Sequence, residues 1–302
     1  MIKYVKRKDL DIDKYNACVE NSVQSRIYAF SWYLDIAVDN WDALVLDNYK
    51  AVMPIPWRKK YFIKYVYLPR WTLQLGIFSV DTNLKIDIFL DYIFQNFKFV
   101  ELRMNTNNFF KNNPTKRITR KMQLLSLIDG YNTIYSNYRK DRKKDLQKAN
   151  KNLLTAKWGD TPNNLITLFK NNVATKMKKL PQKDYDSLLK IITICNDKNI
   201  GEILSIYNDN EVLVGAVFLL KHKKTVTKVV SSTDLKERNK GVNTFMIDKI
   251  INKYQTNFDI FDFGGSSIDS IAKFSRSFNA VDVEYDLIKH NNLPMMFKVF
   301  KQ

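Results

Sequence analysis

Cysteine and histidine are scarce in this chain of 302 residues, which has two of each: Cys18, Cys195, His222 and His290. Two cysteines make no disulfide framework, and no cysteine pair stands at zinc spacing. Two histidines argue against a His-based metal site or a His-dependent triad, so no metal is expected. His222 falls in a basic turn, where it reads as solvent-facing. Cys18 and Cys195 have apolar helical neighbours and read as core thiols. Only 8 Gly and 7 Pro exclude collagen-like or linker-like material. The most apolar stretches are broken by Lys, Asp or Arg within about ten residues, well short of a bilayer span. The N-terminal residues carry charge with no apolar run behind them, so no secretory leader is read and a cytoplasmic protein is expected.

What is present is enough to fold. A hydrophobic fraction of 45% with 13% aromatics fills real cores, and the length predicts two domains. Lys and Arg number 49 against 31 Asp and Glu, a net charge of +18. The excess steers anionic partners such as nucleic acid, membrane surface or phosphate-bearing substrates, or else reflects a composition also rich in Asn and Ile.

An internal repeat organises the chain. Residues 43–67 run Ala-Leu-Val-Leu, Asp47-Asn48, Ala-Val-Met-Pro-Ile-Pro, Arg58-Lys59-Lys60, then Tyr-Phe-Ile-Lys-Tyr-Val-Tyr. Residues 203–231 run Ile-Leu-Ser-Ile-Tyr, Asp209-Asn210, an apolar run, His222-Lys223-Lys224, then Thr-Val-Thr-Lys-Val-Val-Ser. Both read as strand, Asx turn, strand, basic turn, strand, with Lys60 and Lys64 matching Lys224 and Lys228. Downstream, the run from Asn96 to Leu102 matches that from Asn257 to Phe263. Helices near 83–96 and 239–255 fill the gaps. The expected fold is therefore α/β: two tandem mixed-sheet domains related by duplication, at 1–130 and 131–302.

Further elements follow from local signals. Thr161 caps a helix from Pro162 to Met177, and Pro181 opens another to Ile194 with Leu188, Leu189 and Ile192 inward. Residues 133–152 read as one long helix, with Arg139, Lys140, Arg142, Lys143, Lys144, Lys148 and Lys151 facing only Asp141 and Asp145. The span 107–120, with Pro114, reads as a loop. Tyr28, Phe30, Trp32 and Tyr33 read as a packed helix. A Gly264-Gly265-Ser266-Ser267 turn leads to a helix at 268–278 and a last strand near 281–289.

After strand Thr225–Ser232 comes Arg238-Asn239-Lys240-Gly241-Val242-Asn243-Thr244, which resembles the Arg/Gln-x-x-Gly-x-Gly/Ala turn of GNAT-fold acyltransferases. In that family the turn cradles the pyrophosphate of acyl-coenzyme A on backbone N–H groups at a helix N-terminus. The resemblance implies that Arg238, Lys240, Gly241, Asn243 and Thr244 bind an acyl-CoA co-substrate, with Asn243 in place of the third small residue. Phe261-Asp262-Phe263-Gly264-Gly265-Ser266, then Ile271–Phe274 and Phe278–Ala280, resemble the closing half of the same fold. With the tandem copies and the basic helix, the chain looks most like the Fem-type aminoacyltransferases of double-GNAT architecture. In many GNAT enzymes a Tyr general acid stands where this chain has Ser275.

Acyl transfer to an amine needs an anion site for the donor, oxyanion donors and a proton route. Strand Thr225–Ser232 supplies backbone N–H groups for the second, and Asp262, Ser275 and Tyr285 are the candidates for the third. Three functions are consistent with these residues. One is an N-acyltransferase acting from acyl-CoA on a small-molecule or peptide amine. Another is a Fem-like, aminoacyl-tRNA-dependent transferase acting on a peptidoglycan precursor, with helix 139–151 touching tRNA. The last is a non-catalytic binding module on the same scaffold.

Overall fold

The computed structural model describes residues 1–81, 84, 86–108, 110, 116–172, 180–265 and 268–295. The chain divides into two compact units, one of residues 1–120 with 284–302 and one of residues 121–283. Residues 121–130 fall in the second unit because β7 pairs there with β12, and residues 284–302 fall in the first because β13 pairs with β6; the expected 130/131 boundary lies at the end of the first of these two spans.

The first unit runs β1 (Ile2–Lys6), α1 (Ile12–Asn21), α2 (Ser31–Ala37), β2 (Trp41–Leu46), β3 (Ala51–Lys60), β4 (Ile63–Val66), β5 (Phe78–Ser79), α3 (Asp87–Asn96), β6 (Phe99–Arg103) and the start of β7 (Lys116–Ser126). The second runs α4 (Gly130–Ser136), α5 (Lys140–Lys151), β8 (Thr155–Trp158), α6 (Pro162–Asn172), α7 (Gln182–Asp197), β9 (Gly201–Tyr207), β10 (Leu213–His222), β11 (Thr225–Thr233), α8 (Val242–Tyr254), β12 (Ile260–Asp262) and α9 (Asp269–Arg276). The last strand, β13 (Val281–Asn291), crosses from the second unit into the first.

Both units share one plan. In the first, β2, β3 and β4 pair antiparallel and β6 joins β4 in parallel, Val66 against Val100. In the second, β9, β10 and β11 pair antiparallel and β12 joins β11 in parallel, Thr225 against Ile260. An antiparallel meander, a crossover helix and a parallel strand thus occur twice. The outer strands are completed by β1 and β8, and β13 pairs with β6 in the first unit.

The cores follow the sequence pattern. β10 is buried from Val214 to Leu220 because α6 and α8 both pack on it, so it reads as a continuous apolar run rather than an alternation. In α7, Tyr185, Leu188, Ile191, Ile192 and Cys195 are buried at helical spacing, while Leu189 is only partly covered. Both thiols are buried and their pKa values rise with burial, to about 11 for Cys18 and about 12 for Cys195.

Several elements differ from the sequence reading. The basic segment is two helices, because Tyr138 turns inward to the core and its hydroxyl donates to Asp248 at 3.3 Å. The basic run Arg58–Lys60 belongs to β3, and the turn is Tyr61-Phe62, both at positive φ. The matching turn in the second unit is Lys223-Lys224, between His222 and Thr225, so the apparent match of Lys60 with Lys224 is two residues out of structural step. Strand β7 already begins at Lys116, inside the expected loop. The aromatic run Tyr28–Tyr33 is split between a 3-10 turn and α2. Residues 173–177 of the expected helix, and Ser266 and Ser267 of the expected turn, lie outside the described residues.

Candidate functional site

The second unit opens where β11 and β12 part. Their pairing ends at Thr227 with Asp262, and β11 continues to Thr233 without β12 beside it. At that place β11 also carries a bulge: Lys228 pairs with Leu219 and Val230 with Phe218, so Val229 is an extra residue. The edge of β11 beyond Thr227 therefore has no β12 residue paired to it, and unpaired backbone N–H groups are what oxyanion donation requires.

Lys228 is the first residue of β11 past that pairing, and in the sequence only the repeat marks it. Its residue surface is partly exposed, but the amine lies deep among protein atoms, 5.9 Å from the Phe263 ring centroid. That depth pulls its pKa down to about 8, against the opposing pull of Asp262. A lysine titrating near neutral pH carries a positive charge and still gives up a proton readily. Asp262 itself is buried, and its Oδ1 accepts the N–H of Gly264 at 2.7 Å.

The turn before α8 is held differently from a bare anion cradle. Gly241 has φ +87, and a Cβ there would lie 2.2 Å from the Asp145 carbonyl oxygen and 3.2 Å from the Ala149 nitrogen. Glycine is thus required by the close approach of α5, whatever else the turn does. Thr244 is buried; its hydroxyl accepts from Arg142 Nη1 at 2.8 Å and donates to Asp145 Oδ2 at 3.3 Å. Arg142 reaches the same carboxylate at 3.0 Å. Asn243 Oδ1 accepts the Thr233 hydroxyl at 2.5 Å. A carboxylate of the chain itself, Asp145, thus lies beside the first turn of α8, where the helix dipole favours negative charge. Arg238 and Lys240 lie in a 3-10 turn outside α8; Lys240 pairs with Glu237 at 2.9 Å, and Arg238 is exposed.

The other two candidates lie on other elements. Ser275 is buried in α9 and its hydroxyl donates back to the Ile271 carbonyl at 3.2 Å. Tyr285 belongs to the first unit, where it lines a cleft of about 240 Å³ with Asn105, Asn108, Arg117, Glu284 and Asp286. Burial raises the Asp286 pKa, while Arg117, at 3.5 Å, lowers it and Glu284 raises it further. The cleft offers hydrogen-bonding and charged groups of both signs. Of its lining the sequence marks only Tyr285, because Arg117 and Asp286 are brought together only by the fold. Among the described residues, no group of three His, Cys, Asp or Glu side chains is placed to hold a metal, and no helix is long and apolar enough to cross a membrane.

No protein-family model and no curated protein sequence matches this chain. Solved structures do match. FemX superposes with a TM-score of 0.65 at 12% identity, over 97% of this chain and 99% of that one. L-PGS from Bacillus licheniformis gives 0.56 at 10% identity, over 96% and 95%. A tandem GNAT protein from the clavulanic acid biosynthesis pathway gives 0.54 at 9% identity, over 97% and 99%. At such identities the likeness speaks for the fold, and the chain has the two-domain, tandem GNAT-like α/β fold that FemX shares.

Proposed function

We propose that this chain transfers an aminoacyl group from an activated donor to an amine, at the opening between β11 and β12. The observation that carries the reading is Lys228, a deep amine with a pKa near 8 beside the freed, bulged edge of β11. The acceptor nitrogen attacks the donor carbonyl and the oxygen becomes anionic. Backbone N–H groups of β11 and the Lys228 ammonium face that charge. As the carbon–oxygen bond of the ester breaks, the Lys228 ammonium gives its proton to the leaving oxygen, which departs as a hydroxyl, and the Lys228 amine regains a proton from solvent. Water takes the proton from the acceptor amine. The occupied first turn of α8 supports a donor that does not rest a pyrophosphate against Gly241. The exposed lysines Lys140, Lys144 and Lys151 of α5 supply a basic face for a tRNA backbone.

One observation favours a second reading. Arg238 is exposed in the turn before α8, where an acyl-CoA phosphate would lie in the resemblance described above. In that case Arg238→Ala lowers coenzyme A affinity and leaves the melting temperature unchanged.

The test supplies labelled donors, total bacterial tRNA charged with amino acids and, in parallel, acetyl-coenzyme A, with a panel of small amines and lysine-ending peptides. The expected product is an amide formed from charged tRNA, with Lys228→Met slowing it about 100-fold, the loss typical of a missing oxyanion donor. Product from acetyl-coenzyme A alone moves the donor to the second reading. Undiminished turnover in Lys228→Met removes the site.

A further inference from the structure

We infer that the tip of the β3–β4 hairpin docks this protein on an anionic lipid bilayer surface. The hairpin closes between Lys60 and Ile63, so its loop is Tyr61-Phe62 alone. Tyr61 has φ 46 and Phe62 has φ 63. A two-residue loop with both φ values positive selects Asn-Gly, since bulky side chains are strained there. Both rings are nevertheless turned to solvent, Phe62 at 93% exposure and Tyr61 at 57%. An apolar ring held outward at a strained position, with no core to join, is placed for contact outside the molecule.

The surrounding charge says what kind of contact. Lys59 Nζ lies 5.6 Å from the Phe62 ring centroid and Lys60 Nζ 5.2 Å from that of Tyr61. The parallel pairing of Val66 with Val100 brings exposed Lys98 to the same end of the sheet. Apolar side chains outermost with ammonium groups just behind them match the order of a bilayer interface, acyl chains first and headgroup phosphates next. The stalk is braced. Lys64 donates to Asp42 at 2.8 Å and lies 3.8 Å over the Trp57 ring. Arg58 is bonded to Asp39 and lies 4.0 Å over the Tyr67 ring. The tip is thus presented rather than loose, and it belongs wholly to the first unit, independent of the reaction proposed above.

The loop chemistry allows a test that separates binding from folding. Tyr61→Asn/Phe62→Gly installs the dipeptide this turn prefers, so its thermal midpoint is expected to rise. Binding is read by co-sedimentation with phosphatidylcholine vesicles, with and without phosphatidylglycerol, and by anisotropy with a single-stranded RNA oligonucleotide. The wild-type chain is expected to prefer the phosphatidylglycerol vesicles, and the Asn-Gly variant to lose about tenfold of that affinity, as does Lys59→Glu/Lys60→Glu. In a second measurement, the added emission of Phe62→Trp is expected to shift to the blue on phosphatidylglycerol vesicles. The inference is overturned if the Asn-Gly variant sediments like the wild type, if vesicles with and without phosphatidylglycerol bind alike, or if the Trp emission stays put. Loss of RNA binding alone, with vesicle binding intact, likewise overturns it in favour of a nucleic-acid surface.

Discussion

Gly241→Ala tests whether this glycine is held by packing or by a ligand. The backbone there has φ +87, a conformation that costs an L-residue roughly 1–2 kcal/mol. The new Cβ also meets the Asp145 carbonyl oxygen at 2.2 Å, about 1 Å inside ordinary contact. Relief requires α5 to back away from α8, and overpacking of that kind costs about 1–3 kcal/mol. The sum is about 3 kcal/mol, or a fall in melting temperature of roughly 6–12 °C for a domain of about 150–250 residues. Gly159→Ala is the control: φ is +70 there and nothing lies within 4 Å of the added atom, so only the backbone term applies. Calorimetry on both variants, beside titrations with coenzyme A, decides the matter. If the two variants melt alike and Gly241→Ala loses only donor binding, the packing argument is wrong and the glycine serves a phosphate.

Two further outcomes follow from titrating groups. The Lys228 pKa is depressed from 10.5 to about 8, so the folded state binds this proton less tightly than the unfolded chain. Its penalty is present in full below about pH 8 and fades as pH rises toward 10.5. Lys228→Met is therefore more stable than the wild type at neutral pH, and urea midpoints of the two converge in alkali. Asp160 is the reverse case: burial alone would raise its pKa. The Tyr207 hydroxyl, the Asn164 amide and the Thr161 N–H outweigh this and hold it at about 2. Its contribution is present above about 3.8 and is lost as pH falls toward 2. Asp160→Asn costs about 2 kcal/mol at neutral pH, as for hydrogen bonds to a charged group, and the difference in urea midpoint closes in acid. An equal difference at both pH values contradicts the network.

The two meanders were legible because apolar, β-branched runs lie between turn residues, as at Asp47-Asn48 and Asp209-Asn210. The strands β6 and β12 were legible from their matched spacing after those meanders, and the fold adds that each pairs in parallel. The site was less so. Gly241 carries a local signal for an anion turn, but its packing against Asp145 joins residues distant in sequence, which no local pattern encodes. Lys228 is a deep amine only in the folded chain, just past the end of the β11–β12 pairing, and a strand pattern does not say where its neighbour ends. Ser275 looked like a hydroxyl in a catalytic position, yet its helix takes the hydrogen bond. At the β3–β4 turn the usual chemistry misled: lysines mark the matching turn of the second unit, whereas here two aromatics occupy it.

If the edge of β11 beyond Thr227 receives the donor, its backbone amides are covered when the donor binds. Hydrogen exchange of these amides, with and without aminoacylated tRNA, reads that cover. Exchange is expected to slow from Lys228 to Thr233 with charged tRNA, to lose that slowing in Lys228→Met, and to stay unchanged with uncharged tRNA of equal concentration. Slowed exchange confined to α5, or identical for charged and uncharged tRNA, contradicts it.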